Sequence, residues 1–225
     1  MAEHVTLQAE DGHSFDCYLA QPEGAARGGL VVIQEIFGVN SHIRSVADGY
    51  AADGFLVAAP ALFDRIERGI ELGYNAEDIA RGRELKAQSG WDQAELDVTA
   101  AVQAASAAGK VGIVGYCWGG SVAFLAACRC PVAAAIGYYG GQILDLKTEK
   151  PDYSPQCPTM LHFGEKDAGI PLADVEAIGA AHPEIEIHRY DADHGFNCDQ
   201  RGSYDAESAR RARQRSLDFF LGHLT

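Results

Sequence analysis

The stretch VGIVGYCWGG, residues 111–120, decides how this chain folds. Val111 to Val114 have the apolar character of a buried strand, and they run into a cysteine, Cys117, that is flanked by glycines. In the G-x-S-x-G form of this turn, the glycines permit a strained strand-to-helix elbow that lifts a nucleophilic side chain above the sheet. The stretch therefore predicts a strand, a tight turn that carries a reactive thiol, and a helix beginning near Trp118.

Short apolar runs alternate with helical patterns on both sides of this elbow. Residues 5–9 and 15–20 flank Asp11-Gly12 and predict an antiparallel hairpin. Further strands are predicted over 30–33, 55–59, 132–138, 159–163 and 184–189, and helices over 42–53, 76–88, 92–107, 118–127, 172–181 and 204–222. This alternation favours an α/β fold, a mostly parallel central sheet with helices on both faces, in a single domain over residues 1–225.

Composition limits the possible partners. The chain has 225 residues and a formal net charge of −14, which argues against binding to nucleic acids or anionic membranes. The first residues lack a basic segment followed by an apolar core, so we expect a cytoplasmic protein. The six cysteines show no paired CxxC spacing, and we expect free thiols, no metal and no cofactor.

Two further reactive residues follow later strands, in the chain order that such folds use. Asp167 comes after the strand predicted at 159–163, and His194 comes after the last predicted strand. A free thiol is mostly protonated at neutral pH, so Cys117 needs a base, which His194 can supply. Asp167 would orient the imidazole and stabilise its cation, which completes a predicted catalytic triad.

The carboxyl end of residues 30–33 carries a third candidate group. The parallel strands of such a sheet end at one rim, so Glu35 is expected near Cys117. Either Glu35 lies in solvent at the sheet edge, or it reaches into the pocket and accepts the thiol proton. The backbone N–H groups of Ile36 and Trp118 are the expected oxyanion hole, since Trp118 follows the nucleophile and Ile36 follows an early strand.

Five spaced motifs resemble those of the dienelactone hydrolase family. They are QEIFGVN (34–40), GYCWGG (115–120), GYYG (137–140), FGEKD (163–167) and ADHGF (192–196), and the likeness runs from about residue 5 to residue 221. The resemblance implies an α/β-hydrolase fold, a triad of Cys117, His194 and Asp167, and Glu35 as an additional carboxylate that takes the thiol proton when substrate binds.

The same resemblance implies that two arginines hold a substrate carboxylate. Arg81 stands at the first of these positions, although Arg83 competes for the role. The second arginine is expected four residues after His194, where this chain has Cys198 instead. Arg201 follows three residues later and is a possible substitute, but a shifted guanidinium would lose the bidentate geometry that suits a carboxylate.

Three functions remain open from the sequence. The first is a cysteine hydrolase that opens an enol lactone or ester through a thioacyl-enzyme intermediate. The second is a carboxylesterase or thioesterase for neutral substrates, which the missing second arginine favours. The third is a redox-responsive binding protein that uses Cys117. The expected partner is a small lactone or ester, and both a monomer and a homodimer are compatible with the sequence.

Overall fold

The computed structural model describes residues 1–149 and 153–225, and its centre is an eight-stranded sheet. The strands are β1 (Ala2–Gln8), β2 (Ser14–Ala20), β3 (Gly29–Ile33), β4 (Leu56–Pro60), β5 (Val111–Tyr116), β6 (Ala134–Tyr138), β7 (Thr159–Gly164) and β8 (Glu186–Tyr190). They lie in the order β1-β2-β4-β3-β5-β6-β7-β8. The β1–β2 and β2–β4 pairs are antiparallel, and every other pair is parallel. The predicted hairpin and the mostly parallel sheet are confirmed.

Helices connect the parallel strands. They are α1 (Ser41–Ala52), α2 (Ala76–Gln88), α3 (Trp91–Ala105), α4 (Trp118–Arg129), α5 (Ile143–Glu149), α6 (Leu172–Ala181) and α7 (Ala206–Leu224), with short 3-10 helices at Leu62–Arg65 and Ser106–Ala108. The sequence patterns indicated six of the α-helices and missed α5. A helix of seven residues spans too few turns for its apolar spacing to stand out. Across the described part of the chain, no helix is both long and apolar enough to cross a membrane.

The sheet buries both of its faces, as the alternation of β3 shows. Leu30 and Val32 join the apolar cluster that contains residues of α1 and α7. Val31 and Ile33 point to the opposite face and pack in the cluster that contains residues of α3. Because successive side chains of a strand alternate between faces, a strand covered on both sides is apolar throughout. This arrangement confirms the predicted α/β architecture and leaves the strand ends free to carry polar groups.

Candidate active site

Cys117 lies between the end of β5 and the start of α4, in a backbone conformation that non-glycine residues rarely adopt. Its φ of 55° and ψ of −120° are held by its neighbours. The Cys117 N–H donates to the carbonyl oxygen of Tyr138 at 3.0 Å, and its own carbonyl accepts from the N–H of Gly120 at 2.9 Å. The strained turn lifts the thiol out of the strand and points it into a cavity above the sheet.

The glycines around Cys117 are required because α4 packs directly on backbone. A Cβ atom on Gly115 would lie 1.8 Å from the carbonyl oxygen of Gly119. A Cβ on Gly119 would lie 2.4 Å from the oxygen of Gln34, and one on Gly120 would lie 2.5 Å from the oxygen of Tyr138. The glycines of the G-x-C-x-G-G pattern are therefore required for the first turn of α4 to pack between the ends of β3 and β6.

Asp167 and His194 meet at the same rim. Asp167 follows β7, and its Oδ2 lies 2.6 Å from Nδ1 of His194. The other carboxylate oxygen accepts from the N–H of Gly169 at 2.8 Å, and the Asp167 side chain is almost fully buried. With both oxygens engaged, the carboxylate has one orientation, and it fixes the imidazole ring with Nε2 directed away from it.

Electrostatic interactions raise the pKa of His194. Burial on its own would lower the pKa of His194, but the charge of the Cys117 sulfur and the hydrogen bonds that the ring donates to Asp167 and Cys117 raise that pKa from 6.5 to about 10. A protonated His194 and an ionised Cys117 sulfur therefore stabilise each other. A cation in that position stabilises a thiolate, which is the nucleophilic form of cysteine.

Glu35 does not lie in solvent, because its side chain is buried and paired. Its Oε1 accepts from Nη1 of Arg201 at 3.0 Å, while Oε2 has no hydrogen-bond partner. The Arg201 guanidinium also lies over the rings of Phe37 and Tyr74, about 6 Å from their centres. Of the two positions left open by the sequence, the solvent-exposed one is wrong. Glu35 is buried with Arg201 as its partner, but it is not among the described residues that line the cavity at Cys117.

The sulfur of Cys117 opens onto a cavity of about 350 Å³. Its lining residues are Ile36, Arg83, Lys86, Cys117, Trp118, Ser121, Gly141, Gln142, Gly169, Ile170 and His194. Ile36 and Trp118, the expected oxyanion-hole residues, therefore border the same space as the thiol. Trp118 starts α4, so its N–H is among those that an α-helix leaves without an internal acceptor.

Arg81 is not among the described residues that line this cavity. Its guanidinium pairs with Glu67 and Glu84 on the outside of α2. Arg83 and Lys86, on the same helix, do line the cavity. Burial lowers the pKa of Lys86, and the charge of the Cys117 sulfur opposes that shift, so the ammonium group lies within electrostatic range of the thiol. The cations that border the cavity with the thiol are thus Arg83 and Lys86, and Arg81 is not one of them.

Sequence reasoning missed Lys86 and Tyr139 and left the role of Arg201 open. Tyr139 has a φ of 40°, its ring lies 5.0 Å from that of His194, and its buried hydroxyl has no partner. Cys198, where the resemblance implies an arginine, is buried, and burial together with the charge of Glu35 raises the pKa of its thiol to about 11. The GYYG motif was the only sequence signal for Tyr139.

Comparisons with known proteins identify the family of this chain. The sequence model of the dienelactone hydrolase family matches residues 15–224. The carboxymethylenebutenolidase of Pseudomonas putida is 32% identical over 232 residues, which cover 97% of this chain and 96% of that protein. A candidate carboxymethylenebutenolidase of Synechocystis sp. is 39% identical over 224 residues, which cover 92% of this chain and 91% of that protein. The crystal structure of a candidate dienelactone hydrolase from Klebsiella pneumoniae superposes with a TM-score of 0.84 at 31% identity, covering 98% of each chain.

Proposed function

Since the chain belongs to the dienelactone hydrolase family, we propose that it hydrolyses small lactones or esters through a thioester formed on Cys117. The observation that supports this most directly is that the His194 imidazole lies 2.6 Å from the Asp167 carboxylate, interacts with the Cys117 sulfur and borders the same cavity as that sulfur. An imidazolium held between those two groups is suited to protonating a leaving group and stabilising a thiolate.

In the acylation step, the Cys117 thiolate adds to the carbonyl carbon of the substrate. The oxyanion that develops is held by the N–H groups of Ile36 and Trp118. The tetrahedral intermediate then collapses, the bond between carbon and the leaving oxygen breaks, and that oxygen takes the proton from His194. The products of this step are a thioester on Cys117, a neutral imidazole and an alcohol or enol, which in a lactone stays attached to the acyl group.

In the deacylation step, the charge balance turns His194 into a base. The thiolate charge that raises the pKa of His194 disappears when the sulfur becomes a thioester, so this pKa falls. The neutral imidazole then takes a proton from water, and the hydroxide adds to the thioester carbon. Breaking the C–S bond restores the thiolate beside the reprotonated His194 and releases the acid. One histidine thus serves both half-reactions.

Two groups are available to accept the Cys117 proton in the free enzyme. In our scheme His194 holds it, because the pKa of His194 lies well above neutrality. Glu35 is buried in its pair with Arg201, and we assign its unpartnered Oε2 as the second acceptor. This assignment keeps Glu35 in the catalytic machinery and makes the ion pair with Arg201 the device that holds it in place.

The substrate class follows from the cations of α2. Lys86 and Arg83 border the cavity that contains Cys117, whereas Arg81 and Arg201 are occupied by glutamates. We propose that Lys86 and Arg83 attract a carboxylate carried by the lactone or ester, in place of Arg81 and the absent arginine at position 198. The overall charge of −14 makes such a local cationic site necessary for an anionic substrate.

The nucleophile is tested by labelling and turnover. Brief treatment with iodoacetamide followed by peptide mass spectrometry should show the label first on Cys117, and hydrolysis of p-nitrophenyl acetate should fall in proportion. Cys117→Ala should abolish turnover, while Cys128→Ser, a thiol far along α4, should leave it unchanged. Full activity in Cys117→Ala, or full activity with the label on another cysteine, would refute the proposed nucleophile.

A further inference from the structure

Three buried side chains that could bind a metal ion lie close to one another. Glu35 follows β3, His42 lies in the first turn of α1, and Cys198 lies in the loop after His194. One ligand atom from each of Glu35, His42 and Cys198 lies within 4.8 Å of the other two, and all three residues are buried. Within residues 1–149 and 153–225, this is the one group of at least three histidine, cysteine or acidic side chains with that geometry.

The hydrogen bonding of the group leaves ligand atoms unused. Nε2 of His42 and Oε2 of Glu35 are both buried and have no hydrogen-bond partner. Buried polar atoms are nearly always paired, so two orphans in one cluster call for an explanation. The other ring nitrogen of His42, Nδ1, lies 3.4 Å from a carboxylate oxygen of Asp199. A carboxylate behind a histidine is the usual outer partner of a metal-bound imidazole, since it fixes the ring and its tautomer.

We propose that Glu35, His42 and Cys198 form a Zn²⁺ site, with Asp199 as its outer partner. A set of one carboxylate oxygen, one imidazole nitrogen and one thiolate sulfur suits Zn²⁺, and three protein ligands leave a fourth position for water. Ligand atoms around a tetrahedral Zn²⁺ lie about 3.3–3.8 Å apart, so a group whose ligand atoms lie within 4.8 Å of one another closes by at most about 1.5 Å on binding.

The charges around the group balance with a divalent ion. Glu35 and Asp199 contribute two negative charges and Arg201 one positive charge. Binding of Zn²⁺ releases the thiol proton of Cys198, so the added charge is +1 and the total becomes zero. The Arg201 guanidinium contacts Oε1 of Glu35, which leaves Oε2 for the ion. A surface cavity of about 270 Å³ is bordered by His42 and Asp199, so this side of the group is close to solvent.

Sequence spacing could not have indicated this site. Its ligands lie at positions 35, 42 and 198, and no two of them have the short separation of a zinc knuckle. The expectation of no metal therefore rested on local motifs alone, whereas this cluster forms only when the loop after β8 packs against α1.

The test is a titration of the full chain with ZnCl₂, carried out in a Cys117→Ala background so that the thiol of the active site cannot bind the ion. Isothermal titration calorimetry should find one Zn²⁺ per chain. Cys198→Ser and His42→Asn should each weaken binding by at least about tenfold, and Asp199→Asn by about ten- to a hundredfold. CoCl₂ should produce a thiolate-to-cobalt charge-transfer band that is lost in Cys198→Ser.

Matched controls separate ligation from general damage. His182 repeats the setting of His42, with a buried unpartnered Nε2 and a glutamate 3.3 Å from Nδ1, but belongs to no such cluster. His182→Asn and Cys128→Ser should therefore bind Zn²⁺ like the background protein. The Asp199 side chain is 65% exposed, so Asp199→Asn tests the site even where a buried substitution disturbs folding.

Absence of Zn²⁺ binding in the Cys117→Ala background would overturn the proposal. So would binding that is equally tight in Cys198→Ser and Asp199→Asn, or a cobalt spectrum without a thiolate band. These readouts do not depend on turnover. Failure of the Zn²⁺ site can therefore be distinguished from failure of the proposed hydrolase mechanism, which also uses Glu35.

Discussion

Gly119→Ala should damage catalysis more than it damages the fold. Gly119 lies in the first turn of α4, two residues after Cys117. The added Cβ would lie 2.4 Å from the carbonyl oxygen of Gln34 and 2.6 Å from that of Ile33. Both obstacles are backbone atoms at the end of β3, which cannot rotate away, so the start of α4 must retreat by at least about half an ångström.

The size of the effect follows from this displacement. Overpacking of this kind costs about 1–3 kcal/mol, which lowers the Tm by about 2–4 °C for each kcal/mol in a chain of this length. The same movement shifts Cys117 and the Trp118 N–H relative to Ile36. A misplacement approaching 1 Å can cost about a hundredfold in rate. We therefore expect a folded protein with a kcat reduced by about one to two orders of magnitude.

The assay compares thermal unfolding with hydrolysis of p-nitrophenyl acetate, with active sites counted by iodoacetamide labelling. Gly222→Ala is the matched control, because Gly222 lies in α7 and a Cβ there meets nothing within 4 Å. That variant should keep its kcat and gain up to about 1 kcal/mol from the helix propensity of alanine. If Gly119→Ala has the same Tm and kcat as Gly222→Ala, the close contact of α4 with β3 does not determine the position of Cys117.

Three further predictions address the chemistry. His194→Ala should lower kcat by about 10²- to 10⁴-fold. The double variant that also carries Asp167→Asn should be little slower than His194→Ala, because groups that act together are not additive. Losses in kcat that multiply would argue against a cooperating pair. In the free enzyme the pKa of His194 is raised to about 10, so its proton persists below that pH and is lost above it. NMR titration should find a lower pKa of His194 once Cys117 carries a neutral carbamidomethyl group. An unchanged pKa would contradict the proposed switch of His194 from acid to base. Lys86→Met should raise KM for anionic lactones by about tenfold, which corresponds to the loss of one charged hydrogen bond, and should leave KM for neutral esters unchanged. The control Arg81→Ala should leave both KM values unchanged. A rise in KM for anionic lactones with Arg81→Ala alone would show that Arg81 binds the substrate carboxylate.

The elbow and the succession of strands along the chain were predictable because they are local. A glycine-flanked cysteine after an apolar run, followed by an aspartate and a histidine after later strands, is a pattern of sequence neighbours and chain order. The rule that parallel strands end at one rim then brings Cys117, Asp167 and His194 into one region without any distance being known. The structure has these three side chains at that rim.

The cations of the site were harder to predict, because their positions depend on helix phase and on pairing across the chain. Arg81, Arg83 and Lys86 lie within six residues on α2, and only the rotation of that helix decides which of them line the cavity. The partner of Glu35 lies 166 residues away, so nothing near Glu35 in the sequence could distinguish a buried ion pair from a solvent-exposed carboxylate.

The ion pair between Glu35 and Arg201 also bears on the order in which the molecule forms. A buried carboxylate that lacks its partner costs about 3–5 kcal/mol, and residue 35 is made long before residue 201. An incomplete chain can assemble β3 with β4 and β5, but closing the interior around Glu35 carries that penalty until the final segment arrives. We therefore expect the rim that carries Cys117 to be the last part of the sheet to consolidate, and chains that end before Arg201 to keep the thiol elbow accessible and unprotected.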